Sequence, residues 1–240
     1  LAVAANAKNN FTSTGQLIDP GREFWDPDPK WTLNFSGKVT QTTVEKIRDE
    51  LFALAKEDPN HEIMLRFDSS GGEVQAGLQL IDYIHSIPNK VHYMCQEKIG
   101  SMAFIIFVSG ASGTRYIAPS CHSMAHSISS NSKGFLDDMG VGSSYSRELY
   151  EDLLERISDR TGLNIGDVRW LMANNDKYFR PDELMELGFA DEMLDFGEGA
   201  RHITATGTPK LPERLCELQR RQMPELAKCG VRNDLAQLRP

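Results

Sequence analysis

The sequence of 240 residues has only four cysteines, and they lie at wide, irregular spacing. Without a Cys-x-x-Cys pair, the pattern disfavours a zinc site or a thioredoxin-like redox site. Scattered cysteines in a chain of this length are typical of reduced thiols in a cytosol-like compartment, with two of them near core strands. The four residues are Cys95, Cys121, Cys216 and Cys229. We therefore expect free thiols, no disulfide framework and no metal.

Long apolar runs and an excess of positive charge are also lacking. The longest apolar stretch, Met102 to Val108, is far shorter than the roughly 20 residues that a membrane-spanning helix needs. Lys and Arg number 26 against 34 Asp and Glu, so the net charge is −8. A chain this acidic has no basic footprint for nucleic acid or for an anionic membrane. The sequence disfavours both of these protein classes.

The composition is that of a soluble globular protein, with 40% apolar and 25% charged residues. Residues 1–30 are polar and interrupted by glycine and proline, so we expect an N-terminal arm there. Residues 31–194 form the predicted domain, and residues 195–240 are expected to be a flexible C-terminal extension. Because the chain begins with Leu1 rather than methionine, we expect a fragment, a processed form or a trimmed chain.

Strand-like and helix-like segments alternate through residues 31–194. The nearly continuous apolar run Ile63 to Phe67 is typical of a buried parallel strand. Thr42 to Glu45 has the pattern of a capping box before an amphipathic helix that ends near Asp58. Further strands are expected at 31–35, 91–95, 114–117 and 123–126, and further helices over 74–84, 101–108, 149–157 and after Asn164, with a Gly/Ser/Asp-rich segment at 127–143. This order predicts an α/β fold with a largely parallel sheet.

Three features of this domain have the chemistry of a catalytic site. Gly71 and Gly72 follow a buried strand and leave N–H groups uncovered, where a developing oxyanion could be stabilised. The same glycines would also suit a strand-to-helix turn without a ligand. Ser101 begins a very apolar helix, where the N–H groups and the helix dipole favour negative charge, but a serine there is often only a cap.

Histidine is the third feature. His122 and His126 lie on or beside one predicted strand, and the strand period places both on one face. Position alone does not choose between them, and a single histidine is more often structural than catalytic.

Together these segments resemble, in order, the motifs of a known family. Asp68 to Val74 is similar to its Asn-Ser-Pro-Gly-Gly-Ser-Val turn, and Ile99 to Ala103 to its Ala-Ala-Ser-Met-Gly turn. Met124 to His126 is similar to its Met-Ile-His, which selects His126 over His122. The segments 174–179 and 181–191 are similar to its Glu-Arg-Asp-Arg-Phe segment and to the ending Tyr-Gly-Leu-Val-Asp. The chain resembles the proteolytic subunit of the Clp protease, ClpP, over roughly residues 31–194.

The resemblance implies a ClpP/crotonase-like fold of repeated β-β-α units with a mostly parallel sheet and a protruding handle. It also implies a serine endopeptidase in which Ser101 is the nucleophile, His126 the general base and Asp176 the acid that orients the imidazole. Backbone amides at Gly71, Gly72 and Met102 would bind the oxyanion and the substrate. It implies no cofactor and no metal.

Family membership further implies heptameric rings, stacked in pairs, with the catalytic sites sealed inside. The partners would be an ATP-driven AAA+ unfoldase and unfolded polypeptide substrates, in the cytoplasm or in an organelle of bacterial origin. The long helix around residues 149–157 and the segment before it match the inter-ring handle in length. Asn174-Asn175 stands where the family has a Glu-Arg pair that makes charged contacts between rings.

Three other functions are compatible with the same residues. The chain could be a structural ring subunit that forms part of the wall of the particle and cleaves little peptide. The Asn174-Asn175 pair keeps this alternative open. A crotonase-like acyl-CoA enzyme would share the architecture and the glycine-rich oxyanion turn. A viral capsid-maturation protease would share the fold and the triad.

Overall fold

Two β-sheets and six helices make up the described part of this α/β chain. The computed structural model describes residues 28–127, 136–172, 176–194 and 202–204. The predicted arm over residues 1–30 therefore lies outside the described residues up to position 27. The predicted extension over 195–240 also lies outside the described residues, except for 202–204. The Asn174-Asn175 pair lies outside them as well.

The larger sheet has six strands in the order β1-β2-β3-β5-β8-β9, and its first four pairings are parallel. Only the last pair, β8 with β9, is antiparallel. The apolar run after Glu62 forms the second strand, buried between two neighbours as its composition predicts. The strands are β1 Thr32–Ser36, β2 Ile63–Asp68, β3 Val91–Cys95, β5 Arg115–Ile117, β8 Glu192–Leu194 and β9 His202–Thr204.

A smaller sheet of three short strands carries the candidate site. Its members are β4 Lys98–Gly100, β6 His122–Ala125 and β7 Lys177–Phe179, with β4 parallel and β7 antiparallel to β6. An isolated parallel bridge between Ser69 and Ile99 connects this sheet to the end of β2. The predicted parallel sheet is therefore confirmed, with a second sheet that the sequence pattern did not reveal.

The helices are α1 Gln41–Glu57, α2 Val74–Ser86, α3 Met102–Val108, α4 Leu136–Thr161, α5 Ile165–Leu171 and α6 Pro181–Glu186. All seven residues of α3 are buried, and α3 contacts α2, α4, β4 and β6. An apolar helix without a polar face must be surrounded by other elements to be stable in water. This central position explains why its sequence is so uniformly hydrophobic.

Two details of the helices correct the sequence-based predictions. The capping box is formed by Thr40 and Thr43, not by Thr42 to Glu45. Thr40 Oγ1 accepts from the Thr43 N–H at 3.3 Å, and Thr43 Oγ1 accepts from the Thr40 N–H at 3.0 Å. Helix α4 begins at Leu136, inside the Gly/Ser/Asp-rich segment 127–143 that was expected to precede it.

One largely buried ion pair connects Asp191, the residue before β8, to Arg115 on β5. The Asp191 carboxylate accepts from Arg115 Nε at 2.9 Å, from Arg115 Nη2 at 2.7 Å and from the Thr114 and Arg115 amides. Burial acts to raise the pKa of Asp191, but the hydrogen bonds and charge of Arg115 outweigh it and hold the pKa below its ordinary value. The carboxylate therefore stays charged at neutral pH.

The corrected capping box can be tested with two neighbouring threonines. Thr40→Ala removes the side chain that caps α1, so it should lower the free energy of unfolding by about 1 kcal/mol. Thr42→Ala changes an exposed position inside the helix and should alter it by less than about 0.5 kcal/mol. Equilibrium urea denaturation followed by circular dichroism measures both. Equal losses in the two variants would contradict the assignment of Thr40 as the cap.

The buried ion pair predicts a pH-dependent loss of stability. Asp191→Asn leaves the Arg115 guanidinium buried without its counter-charge, so at pH 7 unfolding should become easier by about 3 kcal/mol. Because the folded pKa of Asp191 lies below the unfolded value, its contribution is present above pH 4 or so and is lost as the pH falls further. Asp182→Asn, which breaks an exposed pair with Arg180, is the matched control and should cost under about 1 kcal/mol. Urea denaturation at several pH values measures the difference between the variants.

Candidate active site

Ser101 lies at the junction between β4 and α3 in a backbone conformation that is unusual for a serine. Its φ is 53° and its ψ is −125°, and no other described non-glycine residue has a positive φ. Such a conformation costs of order 1–3 kcal/mol and persists only where the surrounding structure holds it. Here the Ser101 N–H donates to Met124 O at 2.8 Å, which ties the turn to β6. The Ser101 side chain is thereby presented at a sharp strand-to-helix turn.

His126 meets Ser101 because their strands run in parallel. β4 pairs with β6 in a register that places Gly100 beside Met124, and each strand is followed closely by one of the two residues. The ends of paired parallel strands lie at the same edge of a sheet, so the residues that follow them are neighbours. His126 Nε2 lies 2.8 Å from Ser101 Oγ, within hydrogen-bonding distance. His122, the other candidate, begins β6 and is exposed to solvent.

The turn Ser69 to Gly72 packs directly against the Ser101 turn. The Ser69 N–H donates to Lys98 O at 2.9 Å, and the Gly100 N–H donates to Ser69 O at 3.0 Å. Gly71 has a φ of 94°, and a Cβ on it would lie 2.5 Å from Gly100 O and 2.9 Å from Met102 N. Only glycine fits such an approach, which brings the amides of the two turns together.

Where the two turns meet, two backbone N–H groups are directed away from the hydrogen bonds of their own bridge or helix. Val39 bonds to both neighbours of Gly72, donating to Gly71 O at 3.0 Å and accepting from Glu73 N at 2.9 Å. In a parallel bridge of this kind the N–H of the intervening residue points to the opposite side. The Met102 N–H belongs to the first turn of α3, where amides have no partner within the helix. Neither N–H group donates to a backbone carbonyl in the turns, loops and caps of the described residues, which leaves both available to an acceptor.

Asp176 is placed across from His126, but the two side chains are not hydrogen-bonded. β6 and β7 pair with Ala125 beside Lys177, so continuing the register by one residue sets His126 opposite Asp176. The exposed Asp176 carboxylate accepts from the Tyr178 hydroxyl at 3.4 Å. No hydrogen bond joins it to His126, although both residues are among those described. The structure thus brings Ser101 and His126 into contact and sets Asp176 opposite His126 in the strand register, without a hydrogen bond between their side chains.

Sequence reasoning missed two residues that shape this site. Lys177 is almost completely buried, with Nζ 5.4 Å from the centre of the Trp170 ring. Burial lowers the pKa of Lys177, an effect that the neighbouring Asp176 carboxylate partly offsets. Val39, the partner of Gly72, is also fully buried. A lone apolar residue between Lys38 and Thr40 was the only sign in the sequence that this loop packs inward.

A surface pocket of about 910 Å³ lies at Asp176, the third candidate triad residue. It is lined by residues 119–123 on one side and by Asp176 and residues 178–182 on the other. Ser101 and His126 do not line it, so it adjoins the site through Asp176. Among the described residues, no cluster of His, Cys, Asp or Glu could hold a metal ion, and no helix could span a membrane.

The contact between the two turns predicts different outcomes for two glycine substitutions. Gly71→Ala and Gly113→Ala both place a Cβ at a positive φ, of 94° and 80°, and each should cost about 1 kcal/mol of stability for that reason. Only at Gly71 does the new Cβ collide with the Ser101 turn, since Gly113 faces open space. Labelling by a fluorophosphonate probe should therefore fall at least about tenfold in Gly71→Ala and stay unchanged in Gly113→Ala. Equal labelling of the two variants would show that the close approach does not matter for Ser101.

Comparison with known proteins shows the family to which the chain belongs. The family model described as Clp protease matches residues 30–196. The chain is 31% identical over 157 residues to ATP-dependent Clp protease proteolytic subunit 2 of Thermobifida fusca, covering 65% of this chain and 77% of that protein. It is 28% identical to the ATP-dependent Clp protease proteolytic subunit of Bacteroides fragilis over 157 residues, which are 65% and 75% of the two chains. It is also 28% identical to proteolytic subunit 3 of Rhodococcus jostii over 175 residues, or 72% and 86%. The chain belongs to the Clp protease family and is a ClpP-type protease.

Proposed function

We propose that this chain is a serine-type endopeptidase, the proteolytic subunit of an ATP-dependent Clp-like protease that cleaves unfolded polypeptides. Ser101, His126 and Asp176 would form its catalytic triad. The observation that carries the proposal is the 2.8 Å contact between Ser101 Oγ and His126 Nε2 at the meeting point of two parallel strands. A nucleophile and a base at this separation can transfer a proton directly.

In the proposed reaction His126 takes the Ser101 proton as Oγ attacks the peptide carbonyl carbon. The imidazolium then gives that proton to the leaving amine, and a water molecule repeats the cycle on the acyl-enzyme. The strained Ser101 backbone supports this assignment because it exposes Oγ at the tip of a turn, as in other strand-to-helix nucleophile turns. Hydrolysis would regenerate the free hydroxyl without any cofactor.

The tetrahedral oxyanion would be bound by the N–H groups of Gly72 and Met102. Gly71 would have a different role, because its own N–H donates to Ser69 Oγ at 3.0 Å. Its lack of a side chain lets the two turns approach closely enough for both donors to reach one oxygen atom. Removing one donor of such a pair commonly costs a few kcal/mol in the transition state.

Asp176 would complete the triad by moving from Tyr178 to His126. Continuing the β6–β7 register sets its backbone opposite that of His126, and its exposed carboxylate accepts a long, 3.4 Å hydrogen bond from the Tyr178 hydroxyl. A hydrogen bond from His126 Nδ1 to Asp176 would fix the tautomer that leaves Nε2 free to accept the serine proton. Ordering of this carboxylate is then a step that activates the enzyme.

The assembly belongs to the same proposal. The subunits would form heptameric rings, stacked in pairs, that enclose Ser101, and an AAA+ unfoldase would feed polypeptides to them. The three relatives compared are named as proteolytic subunits of ATP-dependent Clp proteases, which supports a multi-subunit assembly and an ATP-driven partner. The enzyme would act in the cytoplasm, or in an organelle of bacterial origin.

A second candidate is a ring subunit that contributes walls but cleaves little. The observation in its favour is that the Asp176 carboxylate contacts Tyr178 and not His126. A triad that never closes would leave the imidazole without its orienting acid, which lowers turnover by orders of magnitude. Activity of the assembled particle decides between the two candidates.

Substitution of the two residues in contact tests the proposed chemistry. Ser101→Ala and His126→Ala should each lower the hydrolysis of a short fluorogenic peptide by at least about a thousandfold, because nucleophile and base act as one unit. His122→Ala is the matched control, since it removes an exposed histidine at the start of the strand that precedes His126 and should leave the rate unchanged. Negative-stain images of each variant check that the particle still assembles.

Asp176→Asn separates the two candidates. If the triad is active, the peptide hydrolysis rate of the Asp176→Asn variant should be lower than that of the parent by about a hundredfold or more. The loss should be smaller than that of Ser101→Ala. If the parent particle is active and Asp176→Asn matches it, Asp176 is not part of the triad. If the assembled parent neither cleaves peptide nor reacts with a fluorophosphonate at Ser101, the chain is the wall-forming subunit.

A further inference from the structure

Two buried cysteines lie in contact at the junction of the two sheets. Cys95 is the last residue of β3, and Cys121 directly precedes β6. Their Sγ atoms are 2.9 Å apart, and the residues are 0% and 1% exposed. Both are free thiols. A disulfide has an S–S distance of about 2.05 Å, so the two atoms are less than about 1 Å from bonding distance.

The thiol pair and the Ser–His pair lie at opposite ends of the same two-strand ladder. The chain runs from Cys95 into β4 and then to Ser101, and from Cys121 into β6 and then to His126. All three residues of β4 pair in parallel with the first three residues of β6. The Cys95 carbonyl also accepts from the Ala118 N–H at 2.9 Å, which holds together the segments that precede β4 and β6. A bond between the two sulfur atoms would link β4 and β6 covalently at their N-terminal ends.

We propose that Cys95 and Cys121 are an oxidation site, at which a peroxide converts the thiol pair into a disulfide that fastens β4 to β6. The Cys121 sulfur attacks one oxygen of hydrogen peroxide, which gives a sulfenic acid on Cys121 and releases water. The Cys95 sulfur then displaces the hydroxyl of that sulfenic acid, and its own proton leaves with the hydroxyl as a second water. Two thiols and one peroxide thus yield one disulfide and two waters.

The surroundings assign the order of these two steps. Cys121 borders the 910 Å³ surface pocket, which gives a molecule as small as hydrogen peroxide a route to it. Cys95 lies deeper, 3.6 Å from the Asp68 carboxylate. The hydrogen bond with Cys121, burial and the Asp68 charge all raise the pKa of Cys95, so it remains a neutral thiol. Cys121 is therefore the residue that meets the oxidant, and Cys95 is the one that resolves the sulfenic acid.

Asp68 connects this site to the glycine turn. Its Oδ1 accepts from the backbone amides of Gln96, Glu97 and Lys98 at 3.1, 2.6 and 3.3 Å, so the segment after Cys95 is held in place. Because the sulfurs need to move so little, a disulfide is compatible with the observed Ser101–His126 contact. Oxidation should hence stabilise the ladder without distorting its catalytic end.

The experiment uses the full chain with Cys216→Ser and Cys229→Ser as background, so that Cys95 and Cys121 are its only cysteines. The folded protein is treated with hydrogen peroxide, excess thiols are alkylated, and peptides are mapped by mass spectrometry without reduction. We expect a cross-linked peptide pair containing Cys95 and Cys121, lighter by two hydrogen atoms and separated by dithiothreitol. The unfolding temperature of the oxidised form should rise by roughly 5–10 °C. The same treatment of a Cys121→Ser variant is the control and should produce neither change.

Three outcomes would overturn the proposal. These are unmodified thiols in the folded protein, sulfinic acid on Cys121 without a cross-link, or a cross-link that forms only after denaturation. This measurement does not depend on the proposed peptidase function. Fluorophosphonate labelling of Ser101 before and after oxidation rests on that function and should be unchanged. A cross-link with lost labelling would contradict only the claim that the catalytic end is undistorted.

Discussion

The backbone hydrogen bonds between the glycine turn and β4 are the constraint on which the site depends. Ser69 donates to Lys98 O and accepts from Gly100 N, at 2.9 and 3.0 Å, so the chain segments that carry Gly71 and Ser101 cannot separate independently. These bonds require an approach that only a residue without Cβ allows at position 71. The larger sheet sets the direction of β2, and through this contact it positions the reactive turn of the smaller sheet.

Much of this arrangement could be predicted from the sequence because its signals are local. The runs from Ile63 and from Val91 are nearly continuous in apolar residues, and the predicted helix end near Asp58 is followed by Pro59, which disfavours helical backbone at the residue before it. The pairing of Ser101 with His126 follows instead from the family resemblance, because the three-residue strand before Ser101 has no recognisable pattern of its own. Which histidine it would be did not follow from the strand period, and the family resemblance supplied it.

Other features depend on contacts between distant segments and left little trace in the sequence. β4 and β7 have three residues each, too few for a period of two to be recognised. The cap of α1 was placed at Thr42 because a glutamate follows it at the expected spacing, whereas Thr43 takes that role through its hydroxyl. The direction of the Asp176 carboxylate and the burial of Lys177 are set by neighbouring strands and by Trp170, which no local pattern encodes.

The conformation of Ser101 has a consequence for how this position could change over time. At φ 53° and ψ −125° a glycine would be less strained than any residue with a side chain. A lineage selected for thermal robustness alone would drift toward glycine there, and it would lose the hydroxyl as it gained stability. The presence of serine means that the molecule tolerates a standing conformational penalty at the turn between β4 and α3.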